Sequence, residues 1–490
     1  MRSFGISGSS GTDVTGSPTN RSGEAAPSPG LGGLGLSGLG LGDWAMHILV
    51  FMGLNWVLLF SNLAGMFMPG LGAVGHQGGY VVALALALYG VATAGRLSPA
   101  PLPPVTIIIA LLWCWVSVSW AIDADTAVRK LMLTSCVIVT AFAVVPQIGY
   151  ERAVAILRQQ MLVALVLSYL LVLLWPTMGI QSRLGTFDEV GGWRGIMVDK
   201  NSCGAFCAAM ALLFLFDAGK LKPLLRWGAF LAAIVFLIGT RSKTAMGILV
   251  AIIPIGFLVL RYNPAFRLLL VPVAVCGAIF VFLAWNRLLL PFERALYDPE
   301  AFTGRGMIWK TLVGYIRDHW LLGAGYGSFW GIGPRSPVFI YTDLTWVQAL
   351  FVGHNGYLDV WSQVGLPGLL LVLLAVFVVP FLRMFKSRTL APSRRALLCA
   401  LMLFILGDNV TESTLFDRDT LLNIFAMIVI ALIGAGERDG RPAIMMRGRS
   451  LRSGTVRASH ALRGNLQANR AATMSGIDAT PDQAKSGENR

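Results

Sequence analysis

The sequence predicts an all-α polytopic membrane protein with about 12 transmembrane helices. Composition is the first reason. Of 490 residues, 55% are hydrophobic and 13% charged, where a soluble globular domain carries about 25% charged residues. Such a deficit over this length excludes an ordinary soluble fold. Apolar runs are the second reason. Stretches near the roughly 20 residues that a spanning helix needs begin around Trp44, Gln77, Pro104, Leu131, Met161, Ser202, Trp227, Ala245, Leu268, Leu366, Ala396 and Leu421. They do not alternate apolar and polar positions, as the strands of a membrane barrel must.

Charge placement is the third reason, and it orients the chain. With the N-terminus taken as cytoplasmic, the inner connections hold Arg96, Arg152, Arg158, Lys220, Lys222, Arg226, Arg261, Arg267 and the run from Arg383 to Arg395, against Glu151 and Asp217. The outer connections hold Asp123, Asp125, Asp188, Glu189, Asp408, Glu412, Asp417 and Asp419. A positive-inside bias of this kind puts both termini in the cytoplasm.

Three regions follow. Residues 1–43, rich in Gly, Ser and Pro, read as a disordered cytoplasmic tail. Residues 44–436 form the transmembrane core. Residues 437–490 form a basic cytoplasmic tail without the interleaved aromatics of a nucleic-acid module, so the net charge of +14 points to anionic lipid rather than to nucleic acid. The six cysteines lie in predicted helices with no histidine or acidic cluster beside them, so no metal site and no disulfide framework is expected.

The long outer segment 286–363 carries most of the remaining chemistry. Loops of this length are often functional. Within it, GRGMIWKTLVGYIRDHW places Ile308, Trp309, Leu312 and Ile316 on one face of a helix that opens at Arg305. A Gly-rich turn, LLGAGYGSFWGIG, follows, and then HNGYLDVWSQVGLPG. On a helix, His354, Leu358 and Trp361 share one face, and Asn355 and Asp359 another. Trp320, Tyr326, Trp330 and Tyr341 offer rings for sugar stacking, or anchors for the interface. Positive charge on the outer face runs against the insertion bias. Arg194, Arg241 and Arg305 each lie in a tight or Gly-containing loop abutting a membrane segment, and a planar guanidinium fork suits a bound polyanion.

The segment from His354 resembles, at every defined position, the signature of the O-antigen ligase superfamily: His-Asn, nine residues, then Gly-x-x-Gly at Gly365 and Gly368. WRGIMVDKNSCG from Trp193, GTRSKTA from Gly239, GRGMIW from Gly304 and TESTLF from Thr411 resemble further motifs of that superfamily in the same order. The superfamily comprises O-antigen ligases, Wzy-type polymerases and exopolysaccharide production proteins. The sequence looks most like the exopolysaccharide-production branch.

The resemblance implies a GT-C-like helical bundle with one long periplasmic loop, in the bacterial inner membrane, with the active site on the periplasmic side. It implies a metal-independent, inverting glycosyltransferase without cofactor, acting on an undecaprenyl-pyrophosphate-linked glycan. Chain-length and export proteins are the expected protein partners. His354, Arg305 and Arg241 are then the catalytic candidates. Arg194, Lys200, Arg241 and Arg305 are candidates for binding the pyrophosphate, and Asn201, Asn355, Asp359, Gly365 and Gly368 are supporting residues. His354 either deprotonates the acceptor hydroxyl or donates to the pyrophosphate. Two alternatives stay open. A ligase would transfer the glycan to lipid A core. A flippase of lipid-linked sugars would place its charges near the bilayer midplane rather than in outer loops.

Overall fold

The structure is a computed structural model that describes residues 39–54, 71–93, 102–181, 191–269, 276, 279, 304–418 and 420–440. Twelve principal helices order the described residues: α1 (Leu41–Gly53), α2 (Leu71–Thr93), α3 (Val105–Val116), α4 (Ala124–Ile148), α5 (Tyr150–Leu174), α6 (Lys200–Leu215), α7 (Pro223–Thr240), α8 (Lys243–Leu260), α9 (Arg305–Asp318), α10 (Gly356–Leu373), α11 (Pro392–Asp408) and α12 (Leu421–Asp439). A π-helical turn and a last helical segment carry α10 on to Lys386. Extended pairing among the described residues is limited to a bridge between Ile180 and Trp193.

Each expected apolar stretch falls on a helix except the one from Leu268, which lies almost wholly outside the described residues. Among the described residues six helices are long and apolar enough to cross a membrane: α4, α5, α7, α8, α10 with its extension, and α12. The expected number of about 12 is therefore supported only in part. Length sets α6 apart. At about 1.5 Å per residue, the 16 residues of α6 fall short of a hydrocarbon core of about 30 Å. Nearly every α6 side chain from Cys203 to Leu215 is buried in protein, where a short span exposes no backbone to lipid.

The first described helix begins at Leu41 and the last ends at Asp439. Local chemistry starts the helices where they start. Pro223 and Pro392 occupy the first turns of α7 and α11, where a missing N–H costs nothing. Asp123, Asp199 and Asn355 cap α4, α6 and α10 with side-chain oxygens.

The helices run alternately between two ends. At one end Tyr150 and Ser393 donate to Asp217, Glu151 pairs with Lys220 and Arg394, and Arg383 pairs with Glu437. Buried Arg395 donates to the carbonyls of Met384, Ser387 and Leu390, which satisfies backbone groups freed where the α10 extension ends. These are the loops that charge asymmetry assigns to a single side. The opposite end gathers the described turns 175–181, 191–200, 240–243 and 408–418 and the segment 304–355. The described part of the expected long loop is a packed cap rather than an open loop. Helix α9 buries Ile308, Trp309, Leu312 and Ile316 against Phe329, Trp330, Val338 and Val347. Residues 286–303 lie outside the described residues.

Candidate functional site

The site is built on the start of α10. Asn355 is its N-cap: the side-chain oxygen accepts from the N–H groups of Tyr357 at 3.1 Å and Leu358 at 3.0 Å. Its amide nitrogen donates to Val410 O, and its backbone N–H to Ser413 Oγ, both at 3.0 Å. The next N–H, of Gly356, is shared between Asn409 O and Glu412 O. A Cβ at Gly356 would lie 2.1 Å from Asn409 Oδ1, so only glycine lets the 408–413 turn lie this close.

His354 precedes the cap and is not on the helix, so the expected face shared with Leu358 and Trp361 does not form. Its φ is +50°, a left-handed conformation that costs a non-glycine residue free energy and recurs at functional sites. Trp309 Nε1 donates to its carbonyl at 3.2 Å. Its ring Nδ1 lies 3.1 Å from Glu412 Oε2. The other oxygen of the same carboxylate, Oε1, takes Arg305 Nη2 at 2.5 Å. Arg305 is the first residue of α9, launched from Gly304 at φ +84°. Glu412 therefore joins two sequence candidates that lie far apart along the chain. Burial pushes its carboxyl up, but the hydrogen bond from His354 and the charge of Arg305 outweigh burial and hold it below the ordinary range.

Asp359 sits one turn into α10 and faces back into the protein. It accepts from Trp330 Nε1 at 2.7 Å and from Gly353 N at 2.8 Å, which fixes the strand of chain leading to His354. Gly365 breaks α10, with φ +70° and ψ 178°. The break frees backbone groups, and each finds a partner: Ser362 O takes Ala324 N, Val364 O takes Trp113 Nε1, and Leu366 N donates to Trp320 O, all at 2.9 Å. A Cβ at Gly365 would stand 1.9 Å from Leu321 O, and one at Gly368 would stand 2.7 Å from Trp113 Nε1. The two glycines thus seat the Gly-rich turn and α3 against the helix that carries the His-Asn pair.

A second group of cations lies at the same end. Arg241 caps α7 at φ +56°. Gly191 and Gly192 let the 191–200 loop rest on it: a Cβ on Gly191 would lie 3.4 Å from Arg241 Nη1, and one on Gly192 would lie 2.9 Å from Lys200 Cδ. Trp193 N donates to Gly239 O at 2.9 Å, locking loop to helix. Lys200 opens α6, and its backbone N–H donates to Gln181 Oε1. Asn201 donates its N–H to the cap carboxylate of Asp199. Burial first, and the charge of Glu412 second, push the Asp199 carboxyl up, so the start of α6 and the Glu412 turn share one electrostatic neighbourhood. Arg194 is turned onto its own loop, with Nε donating to Met178 O at 2.8 Å.

Two of the four candidate rings, Trp330 and Tyr326, are buried, and their polar atoms are held by Asp359 and by Phe416 O. Trp320 is exposed, and Tyr341 donates to Asp318. Glu412 and its neighbour Ser413 were absent from the expected site residues. Their signal was the TESTLF resemblance, which carried no role. Among the described residues no group of three or more His, Cys, Asp or Glu side chains is placed to hold a metal ion.

Fold and site define a helical membrane protein with a histidine, its acidic partner and several cations gathered at one end of the bundle. The family model described as O-antigen ligase matches residues 227–373, which supports the O-antigen ligase and Wzy-type superfamily. The match takes in Arg241, Arg305, His354, Asn355, Asp359, Gly365 and Gly368, and ends before Glu412. No curated protein matches the chain.

Proposed function

We propose that this protein is a bacterial inner-membrane glycosyltransferase that polymerises undecaprenyl-pyrophosphate-linked oligosaccharide repeats into exopolysaccharide at the periplasmic face. One observation carries the reading: His354 and Arg305 are held by the same carboxylate, with Arg241 and Lys200 at the same end of the bundle. That arrangement supports one group to handle a proton and others to handle a polyanion. Placement of the candidate charges at one end of the bundle favours a reaction there over passage of a solute through the midplane.

In this reading an acceptor hydroxyl gives its proton to His354 Nε2 as its oxygen attacks the anomeric carbon. The bond from that carbon to the pyrophosphate oxygen breaks, and its electron pair leaves with undecaprenyl pyrophosphate. Negative charge grows on the leaving group. Arg241, Lys200 and Arg305 stabilise it, each fixed cation contributing about 2.7–4 kcal/mol by analogy with oxyanion donors. Arg194 ties the 191–200 loop to Met178 O beside them. Single displacement inverts the anomeric configuration.

The description of the matched family favours a second reading, a ligase that attaches the finished glycan to lipid A core. Purified protein in liposomes, given a defined undecaprenyl-pyrophosphate oligosaccharide with and without a lipid A core acceptor, separates the two. Products heavier by whole repeats and still lipid-linked support the polymerase. Glycan found only on the core supports the ligase. Translocation without transfer contradicts both.

A further inference from the structure

We infer that Glu412 is the positioning residue of this site, fixing which nitrogen of His354 carries the proton and holding Arg305 beside it; this rests on the reading of His354 as the proton acceptor. The 408–420 turn is bound to α10 through Asn355, Gly356 and Ser413, so the Glu412 side chain is delivered to the histidine by backbone contacts rather than by a long mobile reach. Oε2 lies 3.1 Å from Nδ1. An ionised carboxylate only accepts hydrogen bonds, so Nδ1 carries the proton and Nε2 keeps the lone pair. Among the described residues no other hydrogen bond reaches the ring, which leaves Nε2 for a substrate hydroxyl.

The same carboxylate has a second duty. Once Nε2 takes a proton, the ring becomes a cation beside Arg305, and the Glu412 charge lies between them. Without it, two positive groups would face each other across the 304–305 and 353–354 turns. Asp408 from α11 and Asp199 at the cap of α6 also act electrostatically on this carboxylate. Both are acids, and neither is placed by any observed contact to replace Glu412 on the histidine. A third acid, Asp359, is already held by Trp330 and Gly353.

The experiment has two independent arms. In detergent-solubilised full-length protein labelled with 15N-histidine, and with the His354 signal assigned by its loss in His354→Gln, the neutral ring should carry its proton on Nδ1. A proton on Nε2 in the wild type would overturn the inference whatever any variant does. In liposome transfer assays with the lipid-linked oligosaccharide, Glu412→Gln and Glu412→Ala should lower kcat on the order of 10²-fold with KM little changed, and Glu412→Asp should recover part of the loss. Transfer at the wild-type rate by Glu412→Ala would equally overturn it. A wild-type protein silent toward lipid-linked glycans would sink the functional reading alone, and the position of the ring proton would then decide the assignment of Glu412.

Discussion

His354 Nδ1 lies 3.1 Å from Glu412 Oε2, while the second oxygen of that carboxylate holds Arg305. A histidine in left-handed backbone, a cap asparagine beside it and an acid from another turn meet at one point. The geometry makes distinct demands on each residue, and each demand can be measured.

The Glu412 carboxyl is held below its ordinary value of 4.5, because His354 and Arg305 outweigh burial. A depressed folded value means that the interaction contributes its full stability above 4.5 and loses it as pH falls through the lower folded value. Asp199, pushed up by burial and by Glu412, runs the other way and destabilises as it ionises. The difference in thermal midpoint between wild type and Glu412→Gln reports the first effect together with its coupling to Asp199. It should shrink as pH falls below 4.5. A difference that grows on acidification would contradict the assignment.

Asn355→Ala removes the cap of α10 and the tie to Val410. Cap loss alone costs about 0.5–2 kcal/mol, so a lower thermal midpoint is expected. Asn355→Asp keeps the cap oxygen but loses the donor to Val410 O, so it should recover only part of the stability. Equal midpoints for the Ala variant and wild type would show that the cap is dispensable.

Gly365→Ala places a Cβ 1.9 Å from Leu321 O at a φ of +70°. The backbone term alone is about 1–3 kcal/mol, and the carbonyl contact adds to it. Folded yield should fall sharply, and limited proteolysis should cut near the Gly-rich turn first. An unchanged proteolysis pattern would argue against the helix break as the seat of that turn.

At Arg241 the charge and the strained backbone can be separated. Arg241→Ala keeps the backbone penalty at φ +56° and loses the charge, whereas Arg241→Gly relieves the penalty and also loses the charge. If the cation serves the leaving group, both variants should lose transfer by about 10²–10³-fold, with Gly the more stable of the two. Wild-type transfer by Arg241→Gly would assign this residue a backbone role only.

Much of this was legible in the sequence, for physical reasons that differ by residue. The spanning helices are written as long apolar runs, and the α9 face as Ile308, Trp309, Leu312 and Ile316 at helical spacing. Arg241 and Lys200 share an end because α7 runs back to the loop that opens α6. Glu412 was not legible as a partner, because 58 residues separate it from His354 and only the return of α11 brings the turn back. The position of His354 before the helix also escaped periodicity, which cannot tell a cap from a first turn. The burial of Trp330 and Tyr326 is not written in the sequence because the Gly-rich turn sends one ring into the core of the cap and the other into the core of the bundle.

The most direct test of the central claim is transfer by His354→Ala and Arg305→Ala in liposomes, with membrane levels and thermal midpoints matched to wild type. Both variants should leave the lipid-linked oligosaccharide unextended, with His354→Ala reduced by at least about 10²-fold. Full-length polymer at the wild-type rate from folded His354→Ala would contradict the account.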